Sequence, residues 1–217
     1  MLDRNGVTRI EPVFVEVKER VAGALYSPTD QSGDVRMSSR NLAAYASKHL
    51  GVTFAFGTNI QHIELSSGKA IRVLTDNGAL SADHYVMALG CDGPAMGRSI
   101  GLELPIYPVK GNSITLPLKN RRAAPAIGGA DEHNLAAYCA TGDRLRLAST
   151  AELSGFDRSH RPEKFRSMFR SARELLPSAA DYERPEFRAG LRPMLASITM
   201  RSWRSSLLSR RAARNVA

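Results

Sequence analysis

Apolar residues recur at two spacings along this chain, and the switches between them mark its elements. After Asp34, the apolar positions Leu42, Tyr45, Ala46 and Leu50 stand three or four apart, the period of one helical face. Asp34 or Ser38 offers a capping oxygen and Gly51 a left-handed stop, so the spacing predicts a helix reaching about Leu50. Residues 52–56 then read as a short strand. Residues 60–65 and 70–75 are separated by Ser66-Ser67-Gly68 and followed by Asp76-Asn77-Gly78, which predicts an antiparallel meander over 58–82. Residues 84–89 are apolar on both faces, as a covered central strand would be.

Past Gly101 the alternating period takes over. Residues 112–118, 136–140 and 144–149, the last two flanking Thr141-Gly142-Asp143, predict three strands of one antiparallel sheet. Ser159 and Pro162 open a second helix whose apolar face is Phe165, Met168, Phe169, Ala172, Leu175 and Leu176, and Pro177 ends it. Residues 187–191 return as a strand. From Leu195 on, Ser, Arg and Ala dominate without acidic partners, and a frayed terminus is the reading this composition favours over a membrane-surface helix.

Composition adds limits. The formal charge of +9 suggests nucleic acid until its distribution is considered. Residues 194–217 hold five arginines and no acid, which leaves 25 basic against 21 acidic residues elsewhere. With no recognition motif beside the basic tail, nucleic-acid binding is not expected. No long apolar run or secretory leader is visible, so a cytoplasmic protein is expected. Cys91 and Cys139 lack metal or redox spacing, and His49, His62, His84, His133 and His160 form no triad or ligand pattern, so neither a metal site nor a catalytic side chain is predicted.

Several segments, taken in order, resemble one family. They are Pro28-Thr29-Asp30-Gln31-Ser32-Gly33-Asp34, Asn41-Leu42-Ala43 before Leu50-Gly51-Val52-Thr53-Phe54, and Ala82-Asp83-His84-Tyr85-Val86-Met87-Ala88-Leu89-Gly90. Pro105-Ile106-Tyr107-Pro108-Val109-Lys110-Gly111, Glu174-Leu175-Leu176-Pro177 and Ala189-Gly190-Leu191-Arg192-Pro193 follow. Together they resemble the bacterial FAD-dependent D-amino acid dehydrogenases, with glycine oxidase and the wider D-amino acid oxidase superfamily as more distant relatives. The resemblance implies an α/β (α+β) chain: an incomplete FAD-binding domain over 34–103 and an antiparallel-sheet substrate domain over 104–193. Residues 1–33 would be a lead-in belonging to the substrate domain, and 194–217 a divergent basic tail.

By the same resemblance Arg192 would grip the substrate carboxylate, a task suited to a planar guanidinium that can donate two parallel hydrogen bonds. Ala88, Leu89 and Gly90 would bring bare backbone to the flavin, and Ile60 would contact the adenine end of FAD. The flavin would do the redox chemistry, so no residue is assigned as catalytic. Lys110 is a candidate for the flavin edge or a solvated lysine. Two departures stand out: Asn112 where the family carries Tyr, and Ala148-Ser149 where it carries Gly. No G-x-G-x-x-G turn occurs in the 217 residues, which reads as truncation at the amino end. The abrupt tail reads as truncation at the other end, as a frameshift near Met194 would produce.

The expected function is therefore a fragment of an enzyme that oxidatively deaminates D-amino acids to keto acids and ammonia, inactive alone and open to a complementing amino-terminal chain. The alternative is a non-catalytic remnant or binding module. Analogy with the family adds peripheral association at the inner membrane face.

Overall fold

The computed structural model describes residues 1–195. The basic tail assigned to 194–217 lies almost wholly outside them. The first 33 residues hold more regular structure than their pattern announces. Leu2–Asp3 (β1) pairs antiparallel with Gly23–Ala24 (β2), and between them run a helix, Arg4–Ile10 (α1), and a 3-10 segment, Pro12–Arg20. Asp3 caps α1 by accepting from the Gly6 amide at 2.7 Å, and the 3-10 segment opens on Pro12.

The predicted helix is Val35–His49 (α2), capped at Asp34, whose side chain accepts from the Met37 amide at 3.0 Å; Gly51 follows at φ +69°. The meander forms as Ile60–Ser66 (β3), Lys69–Thr75 (β4) and Gly78–Leu80 (β5), antiparallel in that order. A short helix, Gly93–Ser99 (α3), follows. The large sheet is made of Ile106–Pro117 (β6), Gly129–Asp131 (β7), Ala136–Thr141 (β8), Arg144–Glu152 (β9) and, after the helix Arg166–Leu175 (α4), Glu186–Leu195 (β10). Its strand order is β10-β6-β9-β8-β7, antiparallel from β6 to β7.

Two predicted strands are corrected. Residues 52–56 and 84–89 lie outside every strand. A strand exists only where a neighbour takes its N–H and C=O groups, and the described residues bring no ladder to either segment. Burial along 84–89 nevertheless keeps the period of two: Tyr85, Met87 and Leu89 are half-buried, while His84, Val86 and Ala88 are exposed. Tyr85 ties the segment to the meander by donating its hydroxyl to the Ile71 carbonyl at 2.7 Å.

The chain divides into two units. One comprises Met1–Val52, Lys110–Glu152 and Asp157–Gly190; the other comprises Thr53–Val109, Leu153–Phe156 and, among the described residues, 191–195. The first holds the main core. Ile114 and Leu116 of β6 and Leu145 and Leu147 of β9 pack with Phe165, Met168 and Ala172 around α4, and Val7, Phe14 and Val17 join from the amino-terminal segment. Each aliphatic side chain so buried contributes about 1.5–3 kcal/mol, so this face of the sheet is what holds the unit together. The helical period of 165–176 and the strand period of 112–118 are two halves of that one contact.

Candidate functional site

In the second unit the chain leaves 84–89 through Leu89 and enters a 3-10 turn at Gly90, which sits at φ +56°. That conformation disfavours a side chain, so backbone alone faces outward at this point. A Cβ placed at Gly90 would lie 3.9 Å from Cγ of Pro193. Two segments a hundred residues apart in sequence, Ala88-Leu89-Gly90 and Arg192-Pro193, thus meet within one unit.

Arg192, near the end of β10, is exposed and makes no ion pair among the described residues. The other arginine on its strand, Arg188, lies 3.6 Å from Glu186. An exposed guanidinium beside open backbone can receive a carboxylate through two N–H donors. Ile60 starts β3, an edge strand, opposite Thr75, and is itself partly exposed. For a flavin, the residues present fit the parts that need bare backbone, since the turn at Gly90 is open apart from Pro193.

Lys110 is neither solvated nor free. Only 5% exposed, it donates from Nζ to Asp157 Oδ2 at 2.9 Å and to the Ser159 carbonyl at 3.2 Å, with Glu152 Oε2 at 3.7 Å. The bulge between Lys110 and Asn112 turns both side chains toward Glu152. Asn112, 1% exposed, donates through Nδ2 to Glu152 Oε1 at 2.6 Å and to Thr150 Oγ1 at 3.1 Å. Its Oδ1 has no partner among the described residues, but flipping the amide would set that oxygen against a carboxylate. Asn112 is therefore part of a buried charge cluster. Nothing in the local sequence reveals this, because Asp157 lies 47 positions from Lys110.

The cluster makes stability depend on pH. The Lys110 hydrogen bond, with those from Ser159, holds the Asp157 carboxyl well below its ordinary range. Burial raises Glu152, but the Asn112 hydrogen bond and the charges of Lys110 and Lys164 outweigh it and lower that carboxyl too. Lys110 itself is raised by its bond to Asp157, against the opposing effect of burial. The carboxylates' contribution is complete above about pH 5 and disappears as pH falls through their folded values; the lysine's is complete below about pH 10.5 and disappears as pH rises. We predict that the urea midpoint falls as pH drops from about 5 to 3, and that Lys110→Met lowers the neutral-pH midpoint and flattens that fall. A variant keeping the wild-type slope would disprove the assignment.

The chain is thus a mixed fold of helices and antiparallel sheet in which the open turn at Gly90 lies near Pro193. The chain belongs to the FAD dependent oxidoreductase family (DAO), which matches residues 1–206. It is 47% identical over 195 residues to D-amino acid dehydrogenase 2 of Mesorhizobium japonicum, covering 90% of this chain and 47% of that protein. To the D-amino acid dehydrogenase of Paramagnetospirillum magneticum it is 41% identical over 187 residues, covering 86% and 44%. The crystal structure of glycine oxidase from Geobacillus kaustophilus matches with a TM-score of 0.73 at 25% identity, over 89% of this chain and 50% of that one. The L-proline dehydrogenase of P. horikoshii, at 16% identity and a TM-score of 0.75, shares the fold. The chain spans about half the length of the curated relatives it matches. Among the described residues no helix is long and apolar enough to cross a membrane.

Proposed function

We propose that this chain supplies the substrate side of an FAD-dependent D-amino acid dehydrogenase. The observation that carries the reading is the exposed, uncommitted Arg192 one residue before Pro193, which lies against the side-chain-free turn at Gly90. Arg192 holds the substrate α-carboxylate, and Ala88, Leu89 and Gly90 present backbone to the flavin, with Ile60 toward its adenine end. When bound, FAD supplies the acceptor for the hydride that leaves the substrate α-carbon. The chain's own contribution is orientation: a carboxylate fixed at two points limits where the α-carbon can sit. The resulting imino acid hydrolyses to a keto acid and ammonia. In this reading 34–103 belongs to the FAD-binding part, 104–193 to the substrate part with 1–33 attached to it, and a separate amino-terminal segment completes the cofactor site.

The test is to join or mix the chain with the amino-terminal half of a 47% identical relative, add FAD, and follow reduction of an artificial electron acceptor with neutral D-amino acids. Turnover with D- and not L-enantiomers is the expected result, and none in a folded, flavin-loaded assembly would refute it.

A second reading is a binding module without independent activity. The pyrophosphate carries the charge of FAD, and the G-x-G-x-x-G turn that usually receives it does not occur in these 217 residues. Titration of the chain alone with FAD should therefore show no saturation at micromolar concentrations. Stoichiometric, tight binding would contradict this and require a phosphate site elsewhere in the chain.

A further inference from the structure

A cavity of about 580 Å³ lies within the first unit, between the amino-terminal helical segment, the loop after β2 and the chain around β7 and β8. About half of its wall is apolar, from side chains such as Val7, Phe14, Leu25 and Ile127, and the other half is polar. Its charged residues are Glu11 and Asp30, and no Lys, Arg or His lines it, in a chain with 30 lysines and arginines. A pocket without a base in so basic a protein selects by charge.

Glu11 is the unusual member. It is 6% exposed, and Oε2 accepts from the amides of Ala126 and Ile127 at 2.8 and 2.9 Å. Oε1 accepts nothing and no cation lies within 4 Å among the described residues. Two backbone amides satisfy Oε2, and Oε1 is left as a solvent-accessible oxygen free to accept. The Tyr138 hydroxyl, at the same wall, also has no hydrogen-bond partner among the described residues; burial, then the charges of Glu11 and Asp131, push its pKa up to about 12, so it stays a neutral donor and acceptor. Gly129 passes so close that a Cβ there would overlap this hydroxyl, which holds the ring in place.

We infer that this cavity binds a small organic cation, a primary amine with an apolar body and no carboxylate of its own, whose ammonium pairs with Glu11. The ammonium donates to the free oxygen of Glu11 and to Tyr138, and the apolar body fills the space beside Phe14 and Ile127. A zwitterionic amino acid is disfavoured, because its carboxylate would enter a pocket already holding two acids. All lining residues belong to the unit that contains neither Gly90 nor Arg192, so the inference does not rest on the proposed function.

The experiment is calorimetric or NMR titration of the full 217-residue chain at neutral pH with benzylammonium, and with benzyl alcohol and phenylacetate as neutral and anionic controls. Benzylammonium should saturate below about 10 mM, as its size allows, and bind at least about tenfold tighter than the alcohol, with no phenylacetate binding. Glu11→Gln keeps an acceptor for the two amides and removes the charge; it should lower amine affinity to that of the alcohol. Because that change touches the 126–127 backbone, Ile127→Trp provides a second test: it leaves Glu11 intact, fills the cavity and should abolish amine binding. No saturation by the amine, equal affinity for amine and alcohol, or undiminished binding in either folded variant overturns the inference.

Discussion

Arg192→Leu in the completed, flavin-loaded enzyme is expected to lower kcat/KM for neutral D-amino acids by roughly tenfold to a few hundredfold. The range follows from losing a charge-assisted pair worth about 1.5–3 kcal/mol, each 1.4 kcal/mol being a factor of ten. The loss should be larger if the α-carbon also drifts from its approach to the cofactor, and the division between KM and kcat distinguishes the two: a KM effect alone means lost binding, whereas a fall in kcat means lost alignment. Flavin content should not change, because Arg192 is an exposed side chain near the end of β10 and not part of a packed core. Unaltered kinetics would leave the Gly-Leu-Arg-Pro segment with a purely structural role, and a colourless variant would move Arg192 to the cofactor.

The second large effect concerns folding. Phe165 is 1% exposed, its ring lies 4.7 Å from that of Phe187, and it sits in the cluster where α4 meets the sheet. Phe165→Ala removes a buried aromatic and leaves a cavity that rigid β6 and β9 cannot close, a change that costs about 3–5 kcal/mol. Domains of this size have about 5–15 kcal/mol in total, so the variant should unfold at a markedly lower urea concentration and melt about 6–20 °C earlier. A loss below about 1 kcal/mol would mean that the site repacks and that the core is not organised around this ring.

What the sequence made legible follows the range of the forces involved. The cap at Asp34, the stop at Gly51, the turns of the β3–β5 meander and the strands β6, β8 and β9 depend on neighbours a few residues away, and each formed where its local pattern placed it, although β6 is buried on both faces from Pro108 to Leu116 and not alternately. Residues 52–56 and 84–89 carry equally good strand patterns, but a ladder depends on a partner, which no local pattern reports. The amino-terminal helical segment was missed for a related reason: Val7, Phe14 and Val17 become core only where the large sheet meets them, and the 3-10 backbone breaks at Val17. Of the candidate site, Arg192 and Gly90 rest on the resemblance alone. Their approach through Pro193 and the burial of Lys110 against Asp157 are tertiary facts.

The two apolar segments without ladders bear on how the molecule behaves in solution. Val52-Thr53-Phe54-Ala55-Phe56 contains no charge and no proline, its two phenylalanines stack 5.3 Å apart on the surface, and Val86 in the other segment is 91% exposed. Backbone without ladder partners next to exposed β-branched and aromatic side chains is a template that any extended chain can extend, including another copy of itself. Association between copies of the isolated protein is expected to start at residues such as these. Its solubility limit falls with whatever favours strand addition, higher concentration and screening salt above all, and rises with whatever occupies those edges first.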